Sequence, residues 1–197
     1  PNRELDEDEC TLDNSKSIEI FDNVEVPVMS LLPVEDDYQK ENYLLDPQSR
    51  IKFLGKFNAK EFMKPELMRG LDYGNYIFNN IPNFMCKEKA MDCPFSFMLA
   101  YVYNVNFVED STGKCRCNFY YKGQPYYNYH VTIGKNKEED LQMFLDKHFE
   151  SAIAGFSFGQ PYNKFGNEKE AVCYKFLASF LIYQVNGNIY SFDYNNF

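Results

Sequence analysis

The sequence predicts a mainly β fold, and three observations support that prediction. Aromatic residues make up 18% of the 197-residue chain, as 19 Phe and 16 Tyr without Trp, and such side chains favour half-buried, pleated surfaces. Apolar residues alternate with other residues over a long stretch of the second half, which is the period of a strand. Near the C-terminus, Asn186 and Gly187 separate two apolar runs, which is typical of a two-residue hairpin turn.

The N-terminal residues 1–48 are polar and acidic, and we expect an extended segment that docks on a partner. Its first acidic run, residues 4–9, is expected to be a solvated tail. Residues 18–21 and 24–29 are apolar enough for a short strand or a docking segment. Pro27 excludes a long central strand there, because proline cannot donate to a β-ladder.

Residues 49–197 are predicted to form one folded domain. Residues 51–57 are expected to be a strand with a bend at Gly55, and residues 65–70 a short helical turn. The clearest strand is 95–107, where seven apolar side chains alternate without a break, and a period of two places all seven on one face. The length of this strand predicts curvature or a bulge, as barrels require.

The later elements are predicted from local patterns. They are expected in this order: a turn at 110–113, strands at 115–121, 126–133 and 141–145, a short helix at 148–155, a loop at 159–167, and a hairpin of 173–185 with 189–194. The helix is predicted to stop at Gly155, since glycine commonly ends helices. In the strand at 126–133, one side is expected to carry Tyr127, Tyr129, Val131 and Ile133.

The charge and the glycosylation pattern restrict the partners. The formal net charge is −9, which suits basic protein partners better than a phosphate backbone, since binding to phosphates needs clustered cations. No run of 18 apolar residues is present, so the sequence predicts no helical membrane span. Asparagine is abundant, yet no Asn-x-Ser/Thr sequon occurs, and this favours an intracellular location over secretion.

Four of the six cysteines form two close pairs, Cys86 with Cys93 and Cys115 with Cys117. Two pairs separated by a strand-sized insert are similar to a zinc ribbon, in which they clamp one tetrahedral Zn²⁺. The spacings within the pairs, six residues and one residue, differ from the usual two to four. Two alternatives therefore stay open: packed thiols in a degenerate ribbon, and disulfides.

The sequence predicts that the protein is not an enzyme. His130 lies in a predicted strand and His148 at the start of a predicted helix, and neither has a nucleophile setting nearby. The acidic groups at 36–37 and 138–140 lie in polar stretches that suit a solvated surface. No glycine-rich loop carries the lysine that a P-loop needs.

Clustered tyrosines form a candidate nucleic-acid site, because exposed rings stack on unpaired bases. The candidate contacts are Tyr120, Tyr121, Lys122, Tyr126, Lys135, Phe144 and Lys147. From Asn118 onward the seven lysines are scattered among eight acidic residues, so cationic support is thin. The alternative is that the tyrosines pack in the core or on a protein partner.

The order of elements from the cysteine region to the end resembles the C-terminal OB domain of the replication protein A large subunit. That family includes the telomerase-associated RPA-like proteins and the large subunit of the CST complex. Its third strand runs into a helix with a Glu-Ser or Glu-x-Ala core that ends in a small residue and Gly, and residues 150–155, Glu-Ser-Ala-Ile-Ala-Gly, match that ending.

The resemblance implies a five-stranded OB-type barrel with a short helix and the extended acidic N-terminal segment. It also implies a zinc-ribbon-like insertion at about 84–120 that holds one structural Zn²⁺ on Cys86, Cys93, Cys115 and Cys117. Two positions of the third strand that carry DNA-stacking aromatics in the family hold Gln142 and Asp146 here. A counterpart of the family's helix after the last strand is also not expected within these 197 residues.

These departures favour a non-catalytic assembly role over a grip on DNA. The resemblance implies a nuclear subunit of an RPA- or CST-like single-stranded-DNA-binding complex, acting at telomeres or in DNA replication, which docks smaller OB-fold subunits. Two alternatives remain: a direct binder of single-stranded nucleic acid, and a secreted, disulfide-bonded interaction protein. The sequence leaves the identity of the partner open.

Overall fold

The structure, a computed structural model, describes residues 10–19, 21–31, 43–58, 74–132, 145, 147–163, 171–183 and 189–192. In the N-terminal part, four short strands form two antiparallel ladders. They are β1 (Asp22–Glu25), β2 (Val28–Leu31), β3 (Tyr43–Leu45) and β4 (Lys52–Lys56). β1 pairs with β4 and β2 pairs with β3, while Pro27 lies between β1 and β2 and keeps both strands short.

The predicted bend at Gly55 is present in β4. Gly55 has φ +137°, and the register with β1 shifts between Asn23 and Val24 at the same level of the ladder. Asp22 and Lys56 close this ladder with an ion pair of 2.7 Å between Oδ1 and Nζ. Because β1 pairs with β4, this ladder spans the boundary expected near residue 48.

The second half forms a closed five-stranded barrel. Its strands are β6 (Phe97–Glu109), β7 (Cys115–Tyr121), β8 (Gln124–Val131), β9 (His148–Phe158) and β10 (Val172–Tyr183). Around the barrel the order is β6, β7, β8, β10, β9 and back to β6. β8 and β10 run parallel, and the other pairs are antiparallel. This closed barrel confirms the mainly β, OB-type fold.

Stacked rings fill the centre of the barrel. Phe119 stacks on Tyr126 at 5.1 Å between ring centroids, and it contacts Tyr129 edge-on at 5.1 Å. Phe156 of β9 lies 5.2 Å from Phe119. All four rings are buried, so tyrosines of β8 belong to the core of the barrel.

The predicted bulge in the long strand is present and reverses which side chains face inward. Asn104 has φ +49°, and the β6–β7 register shifts between Tyr103 and Asn106. Before the bulge Met98 points into the core, whereas after it Phe107 does. The expectation that all alternating residues of 95–107 share one face is therefore wrong, because the extra residue changes the period.

A second bulge shapes β8. Asn128 has φ +56°, and the β7–β8 register shifts between Cys117 and Phe119. As a result Tyr127 is exposed while Tyr129 is buried. The expectation that these two tyrosines lie on the same side is wrong for the same physical reason, and Ile133 lies outside the described residues.

The helix expected at 148–155 is wrong, because these residues are in strand β9. Ala152, Ala154 and Phe156 face the core, and Gly155 faces outward under the Phe97 ring. A Cβ at position 155 would lie 2.9 Å from the Cζ atom of Phe97 and 2.1 Å from Ser179 Oγ. Gly155 has to be small because the side chains of Phe97 and Ser179, from the strands paired with β9 on either side, lie over it.

Three smaller elements complete the second half. β5 (Phe84–Cys86) adds to β10, and β11 (Ile189–Phe192) pairs with the end of β10, which confirms the closing hairpin. A six-residue helix, α1 (Lys87–Asp92), follows β5, and a 3₁₀ turn covers Ile77–Asn79. The helical turn expected at 65–70, almost all of the strand at 141–145 and the turn at Asn186–Gly187 lie outside the described residues. Within the described part, no helix is long and apolar enough to cross a membrane.

Candidate binding surface

Neighbouring strands place a row of aromatic side chains on the outer face of the barrel. His130 of β8 is paired with Phe176 of β10, and Tyr174 of β10 is paired with Phe84 of β5. Tyr162 forms an isolated antiparallel β-bridge with Val172 of β10, and its ring lies beside that of Tyr174. We call the five rings Phe84, His130, Tyr162, Tyr174 and Phe176 the aromatic strip.

The rings of the aromatic strip lie within aromatic contact distance of one another. The centroid separations are 5.4 Å for His130–Tyr174, 5.7 Å for His130–Phe176, 6.2 Å for Phe84–Tyr174 and 6.4 Å for Tyr162–Tyr174. Such distances are typical of tilted and edge-to-face pairs. Phe84 is 45% exposed and Tyr162 is 54% exposed, so the two outermost rings have free faces.

Strand alternation and one glycine explain why these rings meet. In β10 the side chains of Cys173, Lys175 and Leu177 point inward, which leaves Tyr174 and Phe176 on the outer face. The Phe176 ring lies directly on Gly159, where a Cβ would be 2.3 Å from a ring carbon. Gly159 therefore admits the ring by having no side chain.

Two cations lie at the β7 end of the strip. Arg116 is paired with His130 across the β7–β8 ladder, and its Nε donates to Asp110 Oδ2 at 2.7 Å. The Asp110 carboxylate also accepts from the Thr112 hydroxyl at 2.6 Å and from the Lys114 amide at 3.1 Å. These bonds, led by that of the Thr112 hydroxyl, lower the pKa of Asp110. The turn at 110–113, predicted from the sequence, thus holds Arg116 beside the strip.

His130 is held in its neutral form at neutral pH. Burial lowers the pKa of His130, and the positive charges of Arg116 and Lys114 lower it further. The described part of the strip therefore offers ring faces rather than a dense positive charge, and the permanent cations described beside it are Lys114 and the ion-paired Arg116.

The residues that the sequence predicts to contact nucleic acid lie in different environments in the structure. Tyr121 and Tyr126 are buried, with 0% and 2% of their surface exposed, so neither ring can stack on a base, and the expectation for both is wrong. Lys122 lies at the β7–β8 turn, where its Nζ donates to the Gly74 carbonyl at 2.7 Å. Tyr120 is half-buried and its hydroxyl bonds to that of Tyr127, while Lys147 is exposed. Lys135 and Phe144 lie outside the described residues.

Sequence patterns missed the aromatic strip because its rings come from four separate segments. The signal that was present is the alternation in β10, where Tyr174 and Phe176 flank Lys175. That signal gives the face of one strand. The parallel pairing of β8 with β10, which brings His130 into the strip, involves residues more than forty positions apart.

The cysteines expected to bind zinc lie in different environments. Cys115 and Cys117 point into the barrel, where burial raises the pKa of Cys115 to about 11 and that of Cys117 well above its ordinary value. Cys86 lies in β5, and the Cys93 thiol donates to the Lys89 carbonyl at 3.5 Å. Zinc ligands are thiolates, which burial disfavours.

No group of three or more His, Cys, Asp or Glu in the described residues is placed to hold a metal ion. The described cysteines are not arranged as a four-thiolate site. Zinc binding stays a prediction, and metal analysis of the purified protein tests it. Cys86, Cys115 and Cys117 carry free thiols. His148, the other histidine, is exposed and its Nδ1 lies 2.8 Å from Asn106 Oδ1.

A family model described as the dual OB-containing domain matches residues 1–180, which includes both N-terminal ladders and most of the barrel. No match was found among curated proteins or among solved structures.

Proposed function

Because the chain belongs to the dual OB-containing domain family, we propose that it is a non-catalytic module whose aromatic strip binds single-stranded nucleic acid. The observation that supports this proposal is the strip itself, in which five rings from four segments lie side by side on the outer face of the barrel. OB-folds bind oligonucleotides on the face around their second and third strands, which are β7 and β8 here, and the strip borders that face through His130 of β8 and its cross-strand neighbour Arg116 of β7.

Stacking is expected to provide most of the affinity. A ring that stacks on a base contributes about 1–3 kcal/mol, and Phe84 and Tyr162 each have a free face. Lys114 and Arg116 lie beside His130 at the β7 end of the strip and could contact phosphates there, but Asp110 already engages Arg116. The module is therefore expected to prefer unpaired bases over a duplex, whose bases have no free faces.

Fluorescence anisotropy with labelled oligothymidylate and with a duplex of the same length tests this proposal. At about 50 mM salt, where phosphate contacts are strong, the single strand is expected to bind and the duplex to bind less tightly. Tyr162→Ala and Phe84→Ala are each expected to weaken binding at least about fivefold, the loss of one stacked base. Tyr101→Ala is the matched control, because Tyr101 is an exposed tyrosine of β6 outside the strip.

Absence of binding at this salt concentration would contradict the proposal. Equal affinity for single strand and duplex, or equal losses from Tyr101→Ala and Tyr162→Ala, would show that the strip is not the binding surface.

A second function, docking of a smaller OB-fold subunit as in RPA- or CST-like complexes, is favoured by another surface. On β6, Phe97 and Tyr101 are 45% and 38% exposed. The alternate residues of β6 from Phe97 to Tyr103, and their β9 partners from Ser157 to Ser151, carry no charge. We propose this uncharged sheet face as the docking surface, and the nuclear location that such a role implies stays a prediction.

A pull-down with purified small OB-fold subunits tests this second function. Tyr101→Glu is expected to abolish retention, since it places a charge in an uncharged interface. Tyr127→Glu, an exposed tyrosine of β8, is the matched control and is expected to retain the partner. Failure of the unaltered protein to retain any such subunit would contradict the docking role.

A further inference from the structure

One end of the barrel is closed by residues 77–83, which we call the plug. The Phe78 ring stacks on Phe158 at 4.1 Å, and Ile77 is fully buried. Phe78 and Asn79 have φ of +52° and +53°, a backbone region that bulky residues rarely adopt. Such a conformation persists only where surrounding contacts hold it.

Lys175 of β10 makes three hydrogen bonds to the plug. Its buried ammonium donates to the Ile77 carbonyl at 2.7 Å and to the Asn80 carbonyl at 2.6 Å. Its backbone amide donates to the Asn83 carbonyl at 2.9 Å. The Tyr126 hydroxyl adds a fourth bond by accepting the Ile77 amide at 3.1 Å.

The Lys175 ammonium has an unusual setting for a buried charge. Among the described residues no carboxylate faces it, and its acceptors are peptide carbonyls. Burial lowers the pKa of Lys175 to about 7, while Cys93 favours the charged form. A buried lysine without a carboxylate costs free energy that an apolar side chain would not cost, so general stability does not explain a lysine here.

The plug leads directly into the edge of the aromatic strip. The Asn80 side-chain amide donates to the Phe84 carbonyl at 3.2 Å, and that of Asn83 donates to the Asn128 carbonyl at 3.2 Å. Phe84 then begins β5 and pairs with Tyr174, the neighbour of Lys175 in β10. β10 thus places the rings of Tyr174 and Phe176 on the outer face of the barrel. Between them, the side chain of Lys175 points inward and holds the plug.

We propose that Lys175 is a positioning residue for the aromatic strip, because its ammonium fixes the plug and the plug fixes the Phe84 ring beside Tyr174. This inference rests on the proposed binding of single-stranded nucleic acid. Lys175 itself is buried and touches no ligand, so it acts only through Phe84.

A double-mutant cycle on the full chain tests the inference, with labelled oligothymidylate as the probe. Lys175→Met and Phe84→Ala are each expected to weaken binding at least about fivefold. In the Phe84→Ala background, Lys175→Met is expected to have no further effect, because the ring that it positions is already gone. Lys52→Met, an exposed lysine of β4, is the matched control and is expected to bind as the unaltered protein does.

Tyr126→Phe loosens the plug by a second route and serves if Lys175→Met fails to fold. It is expected to show the same dependence on Phe84, and hydrogen exchange is expected to rise at residues 77–86 in both variants. Normal affinity of Lys175→Met, or losses that multiply with those of Phe84→Ala, would overturn the inference and leave the proposed function intact. Absence of binding by the unaltered protein would instead overturn the proposed function, and the inference with it.

Discussion

Tyr126 and Tyr129 of β8 are both buried, but their hydroxyl groups differ in what they contact. The Tyr126 hydroxyl accepts the Ile77 amide, whereas that of Tyr129 has no hydrogen-bond partner among the described residues. A buried polar group costs free energy unless it is bonded. The two phenols are therefore expected to contribute with opposite sign to the free energy of unfolding.

We predict that Tyr126→Phe lowers the free energy of unfolding by about 1–3 kcal/mol, because it leaves the Ile77 amide buried and unpaired. Tyr129→Phe is expected to leave the stability unchanged or to raise it by up to about 1 kcal/mol. Urea unfolding of the two variants measures both values, and each serves as the control for the other because both remove one oxygen. Equal losses would contradict the prediction.

The pH dependence of stability is expected to report on Lys175. Its pKa is about 7 in the folded chain against an ordinary 10.5, so between these values the unfolded chain binds the additional proton. Stability contributed by this group therefore rises with pH across that window, by at most about 1.4 kcal/mol per pH unit, and is lowest below pH 7.

We predict that Lys175→Met removes this rise. The difference in the free energy of unfolding between Lys175→Met and the unaltered protein is expected to shift in favour of the lysine as the pH increases from about 7.5 to 9. Urea titrations at several pH values measure it, and taking the difference cancels the titration of the Cys115 and Cys117 thiols, whereas Cys93, whose charge is coupled to that of Lys175, belongs to the measured effect. A difference that does not change with pH would contradict the prediction.

Among the elements, the long strands β6 and β8 each depend on an asparagine at a bulge. Asn104 and Asn128 have positive φ, which asparagine tolerates better than β-branched residues do. The bulge in β6 turns Val105 and Phe107 into the core, so its loss would misplace the side chains of one barrel end.

We predict that Asn104→Val lowers the free energy of unfolding by about 1–2 kcal/mol, the cost of a left-handed backbone for a side chain with a branched Cβ. Asn104→Gly is the matched variant and is expected to show no such loss, since glycine adopts positive φ freely. Thermal or urea unfolding compares the two variants. A valine variant as stable as the glycine variant would show that the bulge is not held by this residue.

The sequence predicts correctly the elements that depend on turn residues and alternation. It does not predict the elements whose conformation depends on pairing with neighbouring strands. The turn at Asp110 and the strand Cys115–Tyr121 follow from turn residues and alternation, and both are present. The sequence of β9 favours a helix because its alanines and Glu150 have good helix propensity, which strand pairing on both sides overrides. Tyr174 and Phe176 lie in an apolar run of the sequence. Alternation alone does not show which of the two faces of β10 points out of the barrel.

For the whole molecule, closure depends on the parallel pairing of β8 with β10. This contact joins residues far apart in the chain, so the sequence could indicate a small barrel but could not show which strands meet. The same contact assembles the aromatic strip. The strip could therefore not be predicted before the topology, although each of its rings was visible in the sequence.

The net charge of −9 leads to a prediction about the whole molecule, because it limits how strongly any phosphate backbone is attracted. Of the described residues near the strip, Lys114 and Arg116 are placed to contact phosphates, and Asp110 competes for Arg116. Each contact with a single strand changes the slope of log K against log salt by about −0.7. The slope for oligothymidylate is therefore expected to lie between about −0.7 and −1.4.

Lys114→Gln is expected to make that slope shallower by about 0.7, while Phe84→Ala lowers the affinity without changing the slope. Anisotropy titrations from about 50 to 200 mM salt measure all three slopes. A slope steeper than about −3 for the unaltered protein would place the binding on lysines elsewhere in the chain and would contradict a surface that acts mainly by stacking.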